Sequence, residues 1–259
     1  METKFNLDEA VIEQFRFVNL YNRLTGKLEV RLTSVENPSL DATSEKDEVI
    51  DAYGSTVAEI SKAKKASFSG ENTYWNFELA ARQYGSTKEV ATSAKKIIAP
   101  ANEVVEVTGT TITLKHTPAQ PIKYIYKLSQ GNIAEVLEVH ATTATSGKFT
   151  IADGVITLPA GSDGTYLIDY VYESDKAFKV ANKSDQHPEE MMFKASVYLR
   201  NRCTNEQVLA WIVADKAKLD ASQVQTALNS QGKHPINLNF LKNPCVESAD
   251  LFNIIVVND

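Results

Sequence analysis

The sequence is poor in the residues that mark redox, metal-binding or membrane proteins. Only two cysteines occur in 259 residues, Cys203 and Cys245, and they fit no CxxC or other metal-ligand spacing. That excludes a disulfide-scaffolded domain and a cysteine-based zinc site. Both are expected as buried, reduced thiols, since free cysteine packs as a small apolar residue. The N-terminal residues METKFNLDEA carry acids and no apolar stretch, unlike a secretory leader, so synthesis and folding are expected in a cytoplasm. No apolar run approaches the roughly 20 residues that cross a bilayer as a helix, so no membrane partner is expected.

Positive charge is also scarce. Lysine and arginine number 27 against 33 acids, for a net charge of −6, which argues against a surface that grips nucleic acid by neutralising phosphates. An acidic surface would let DNA slide past by repulsion, and mild acidity also serves ordinary solubility.

The spacings of strong catalytic motifs are missing as well. There is no G-x-S-x-G, H-E-x-x-H, P-loop or dinucleotide glycine pattern, each of which carries a definite mechanism. Four histidines, His116, His140, His187 and His234, are scattered along the chain. His187 with Glu189 and Glu190 is the best metal candidate, because imidazole and carboxylates that close could share a divalent ion; the competing reading is a solvated loop beside Pro188. Asp153–Gly154 and the segment 161–164 read as hairpin turns, and Asp169 is an acid able to line a cleft. Trp75, Trp211 and the tyrosines at 166, 170 and 172 could stack on a sugar, although both tryptophans sit in apolar periodic segments where burial is expected. The chain is therefore expected to be no enzyme and to need no cofactor and no metal.

What the sequence does contain is β structure. At 43% hydrophobic it can bury one large β core or two small ones. Residues 27–35 alternate through Leu28, Val30 and Leu32, as a half-buried strand does. Residues 36–54 are rich in Pro, Ser, Asp and Glu and read as a long polar loop, a length that in compact domains usually serves function or a partner. A further strand is expected from Val57 to Phe68. Residues 72–84 predict a helix, with Asn72 as cap, Gly85 just past its end and an apolar stripe through Trp75 and Leu79. From 103 to about 213 short strands alternate with Gly and Asp turns at intervals near ten residues, the pattern of a sandwich or barrel. The expected fold is mainly β, an antiparallel sandwich or barrel with a flanking α-helix and an inserted or second small β domain. Its expected organisation is an arm at 1–25, a core from 26–102 and 191–259, and an additional, immunoglobulin-like β region at 103–190.

A β protein without a catalytic site works through its surface. Two segments are candidates for contact between copies: the arm, through Phe15, Phe17 and Tyr21, and the polar loop, through Asp41, Glu45, Asp47, Glu48 and Asp51. Open sheet edges invite such pairing, and symmetric rings use it; the alternative is that both segments fold back on their own domain.

The order of elements resembles that of bacteriophage major tail tube proteins. The resemblance is carried by KLEVRLTSV, the long loop, KASFSG and YWNFELAARQYG in the first half. In the second half it is carried by DGVITLPAG, YLIDYVYES, AWIVADKAKLD, HPINLNFLKNPC and the final LFNIIVV, so that it covers about residues 25–255. It implies a β core with a helix, six copies closing a ring, and rings stacking into a tube in the virion tail through which DNA passes without specific binding. It also implies that 27–35 and 57–69 form the hairpin lining the bore, that 36–54 reaches the neighbouring ring, and that the additional β region decorates the exterior. The implied partners are copies of the chain itself, with tail sheath, terminator or baseplate proteins. Capsid decoration, neck or baseplate proteins and carbohydrate-binding β proteins are the alternatives.

Overall fold

The structure is a computed structural model that describes residues 10–202, 204–220, 232–244 and 250–257. Cys203 and Cys245 lie outside the described residues. In chain order the first elements are β1 (Ala10–Asn22), β2 (Leu28–Leu32), β3 (Val35–Ile50), β4 (Thr56–Asn72) and α1 (Phe77–Gln83). There follow β5 (Glu89–Val90), β6 (Ile97–Val107), β7 (Thr111–Thr113), β8 (Tyr124–Ser129), β9 (Asn132–Val139), β10 (Lys148–Ala152), β11 (Val155–Thr157), β12 (Gly164–Ser174) and β13 (Phe178–Lys179). The last four are β14 (Glu190–Asn201), β15 (Gln207–Leu219), β16 (His234–Phe240) and β17 (Asn253–Val257). The chain forms two compact units, one from Met1–Lys88 with Val180–Asp259 and one from Glu89–Lys179. These divisions fall at 88/89 and 179/180, whereas composition had suggested 102/103 and 190/191.

The first unit is an antiparallel, nearly closed, barrel-like sheet in the order β2-β1-β14-β15-β16-β4-β3, with β17 on the edge of β15. Period-two burial builds it: Met191, Phe193, Ala195 and Val197 of β14 and Val208, Ala210, Ile212 and Ala214 of β15 face the core. Phe68, Phe193 and Phe240 form its aromatic centre, with ring centroids 5.0 and 5.1 Å apart along that chain. Each such side chain contributes about 1.5–3 kcal/mol on burial. The flanking helix is present but starts later than the spacing suggested. Asn76, not Asn72, is the N-cap, its Oδ1 accepting from the amide of Leu79 at 2.9 Å. Asn72 is instead the last residue of β4, where the sheet ladder claims its backbone. Gly85 ends the helix at φ +66°, and a Cβ there would stand 2.4 Å from the carbonyl oxygen of His187, so no other residue fits.

Three local expectations change. Residues 36–54 are not a loop: 36–50 belong to β3, which pairs with β4, and 51–54 form the turn between them. Pro38 is accommodated by a bulge between Glu36 and Ser39 on this edge strand, with Asn37 at φ +49°, as proline requires in a sheet. The described part of the N-terminal arm is β1, hydrogen-bonded on both sides, to β14 and β2; residues 1–9 lie outside the described residues. Consequently 27–35 does not pair with 57–69. β2 pairs β1, while β4 pairs β3 and β16.

The second unit has its own core of Ile112, Ile125, Phe149, Ile156, Leu158, Tyr166 and Ile168 inside a sheet ordered β6-β12-β8-β9-β10-β11-β7. All its pairings are antiparallel except β9 with β10. Asp153 and Gly154, at φ +48° and +77°, make the β10–β11 turn that the Asp-Gly pair foretells. β5 and β13 pair Glu89 with Lys179 and Val90 with Phe178, so the unit begins and ends in one two-stranded ribbon.

Candidate functional site

The feature that the fold leaves unexplained is the outer part of the β3–β4 hairpin. β16 accompanies β4 only as far as the Ala66–Phe240 pair. Beyond it, from Asp41 to Lys65, every residue is exposed. A strand buried on one face shows alternating burial; here both faces are wet, so nothing described in the chain covers either. The register runs from Thr43 opposite Lys65 to Ile50 opposite Thr56, a reach of about 25 Å at ~3.4 Å per residue.

Short polar contacts hold the arm in shape. Lys46 pairs with Glu59 at 2.6 Å and Lys62 with Asp47 at 2.8 Å, and Lys65 pairs with Glu45. Thr56 Oγ1 donates to Glu48 at 3.2 Å. Asp51 Oδ1 accepts from the amides of Tyr53 and Ser55, both at 2.9 Å, and Gly54 completes the turn at φ +83°. Exposed ion pairs contribute little each, and an isolated two-stranded hairpin is marginal in water. Yet the tip also carries apolar side chains into solvent: Val49, Ile50, Val57 and Ile60, with Tyr53 at 95% exposure. The outer hairpin is therefore acidic, apolar at its tip and, among the described residues, unpaired along both edges.

Of the expected interface residues, the structure gathers Asp41, Glu45, Asp47, Glu48 and Asp51 on this arm, all exposed. It takes the aromatic set elsewhere. Phe17 is 8% exposed, edge-on to Trp211 at 5.7 Å and under the Arg31 guanidinium at 4.1 Å. Phe15 is half-buried and stacked on Phe68 at 5.9 Å. The Tyr21 hydroxyl accepts from Asn19 Nδ2 at 3.1 Å, and the Lys194 ammonium sits 5.2 Å over its ring. These contacts of the three side chains are all within the first unit of the chain.

The residues weighed for chemistry lie in these settings. Glu190 of the His187 cluster is paired with Lys216 at 2.9 Å and Arg23 at 3.6 Å. Among the described residues no group of three His, Cys, Asp or Glu is placed to hold a metal. Asp169 does line a cleft of about 410 Å³, with Tyr124 and Tyr126 of the second unit. Trp75 remains 38% exposed, stacked on His234 at 4.4 Å. His234 is fully buried at the start of β16. Its Nδ1 accepts from the Asn76 amide at 3.1 Å and its Nε2 bonds Gln83 Oε1 at 2.7 Å. Burial pulls its pKa down to about 4. In the second unit the buried Tyr170 hydroxyl donates to Glu103 and is pushed up to about 12, by burial first and that bond second.

A barrel-like sheet, a capped helix packed on it, an inserted β body and an uncovered arm describe a structural β subunit. The chain belongs to the YomU/Tube protein family, whose profile matches residues 10–254. It is thus a member of a phage tail tube protein family, and the virion tail is the place that membership implies. Comparison with curated proteins finds none that matches.

Proposed function

We propose that the chain is a tail tube subunit that assembles with copies of itself into closed, six-membered rings. These rings stack into a tube through which DNA passes without specific binding. The observation that carries this reading is the arm from Asp41 to Lys65, exposed on both faces and free along both strand edges among the described residues. Unpaired edges that end in Val49, Ile50 and Tyr53 favour pairing with another chain. A repeated head-to-tail contact closes rings or propagates fibres, depending on its rotation. Sixfold closure is carried over from the resemblance to tail tube proteins. The net charge of −6 suits a bore that repels phosphate rather than holding it.

In this reading the arm, which contains most of the 36–54 segment expected to reach a neighbouring ring, supplies the contacts between copies, and its acids Asp41, Glu45, Asp47, Glu48 and Asp51 are interface residues. The second unit decorates each subunit. Negative-stain electron microscopy of the purified protein is the test. Hollow tubes, or stacked rings with six-lobed end views, are expected; compact trimers or monomers at every concentration would overturn the proposal.

A further inference from the structure

The same hairpin that carries the apolar tip also forms one wall of a groove at its base. The groove, of about 580 Å³, is lined by Ala42 of β3, Ala63, Lys64, Lys65 and Ala66 of β4, and Lys242, Asp250, Leu251 and Phe252 from the segment leading to β17. Its apolar lining is Ala42, Ala63, Ala66, Leu251 and Phe252; Lys64, Lys65 and Lys242 surround it against the single acid Asp250. Lys65 is engaged by Glu45, but Lys64 and Lys242 have no ion pair among the described residues. The tip has the complementary composition. Between residues 47 and 60, Asp47, Glu48, Asp51 and Glu59 stand with no lysine or arginine among them, Asp47 and Glu59 being paired across the hairpin with Lys62 and Lys46, and they surround Val49, Ile50 and Tyr53.

We infer that this groove is the socket for the hairpin tip of a second copy of the chain. Resting on the tube reading above, the inference names the two surfaces of the contact. Val49, Ile50 and Tyr53 of one subunit lie on the floor made by Leu251 and Phe252 of the next, and Glu48 and its neighbours face Lys64 and Lys242. Plug and socket are different surfaces of one chain, so the contact is heterologous and leaves a free plug and a free socket after each addition. Both lie on one hairpin, separated by the eight residue steps from Ala42 to Ile50, about 27 Å. Arm length therefore enters the axial repeat directly. Opposite charges around an apolar centre also make assembly salt-sensitive, since partly exposed charge pairs are screened.

A charge-reversal mixture tests this. Asp47→Lys/Glu48→Lys reverses the tip, and Lys64→Glu/Lys242→Glu reverses the groove; all four side chains are exposed, so both variants should melt like the parent. Each alone sets like charges against each other and should need about tenfold more protein to assemble, or more. An equimolar mixture pairs each reversed tip with a reversed groove and each native tip with a native groove. It should polymerise near the parent's concentration. As a second measurement, Tyr53→Cys/Ala63→Cys, with Cys203→Ser and Cys245→Ser, should give a ladder of disulfide-linked multimers when assembled protein is oxidised. Parent tubes combined with an inactive mixture and no ladder would overturn the socket while leaving the tube reading intact. A parent that forms no assembly would remove both.

Discussion

His234 is the side chain whose protonation the fold can least accommodate. Its Nδ1 is already an acceptor for the Asn76 amide, which opens α1, and its Nε2–H donates to Gln83, which closes that helix. A second ring proton would point at a donor. Burial holds the folded pKa near 4, whereas the unfolded ring titrates near 6.5. As pH falls below about 6.5 the unfolded chain takes up the proton first, so this group costs stability progressively down to pH 4, at most ~1.4 kcal/mol per pH unit. Urea melts at pH 7, 5.5 and 4.5 should record that decline, and His234→Gln should flatten it; an equal slope in the variant would mean that carboxylates cause it. Phe68, touching both Phe15 and Phe193, is the core counterpart. Phe68→Ala should lower stability by about 3–5 kcal/mol in the same assay. A strand reaching Phe68 was legible in the sequence. The role of His234 was not, because its partners lie some 150 residues away in the chain.

The arm raises the question of which strand residues hold the body together. Leu40 packs against the core of the first unit, whereas Thr43 to Lys65 are exposed throughout. Removing 36–54 would therefore damage the sheet as well as the arm. The clean excision replaces Ser44–Lys64 with Asn-Gly between the paired residues Thr43 and Lys65, a sequence suited to a two-residue hairpin turn. That variant is expected to melt within a few degrees of the parent and to remain unassembled by sedimentation and microscopy. Loss of its cooperative melt would mean that the arm supports the core. The polar composition of 36–54 concealed a strand because an alternating pattern needs one dry face, and this segment has two wet ones. The strands from Lys148 to Ser174, each with a buried face, were readable for the converse reason.

At the scale of the whole molecule, the second unit is removable by design of its ends. Glu89 is paired with Lys179, so the flanking residues Lys88 and Val180 continue from strands about 5 Å apart. Joining Lys88 to Val180 through Gly-Gly should leave the first unit folded, with one cooperative thermal transition, and still able to assemble. A molten product would show that the first unit depends on the insertion. Composition indicated an insertion but put its ends 14 and 11 residues late, because those ends are set by the pairing of Glu89 with Lys179 and Val90 with Phe178, contacts between segments about 90 residues apart in the chain.

By itself, the sequence determined that the protein is mainly β, that a helix near Leu79 flanks the sheet, that Gly and Asp turns join the later strands, and that the spacings of common catalytic motifs are absent. These follow from local periodicity, capping and turn geometry, which act within a few residues. Tertiary structure decided that 10–22 is a strand held between two others, that β2 and β4 take different partners, and that acids read as a loop stand on a paired hairpin. Strand pairing is a contact between distant segments, chosen by which apolar faces can be buried together. No window of neighbouring residues contains that choice.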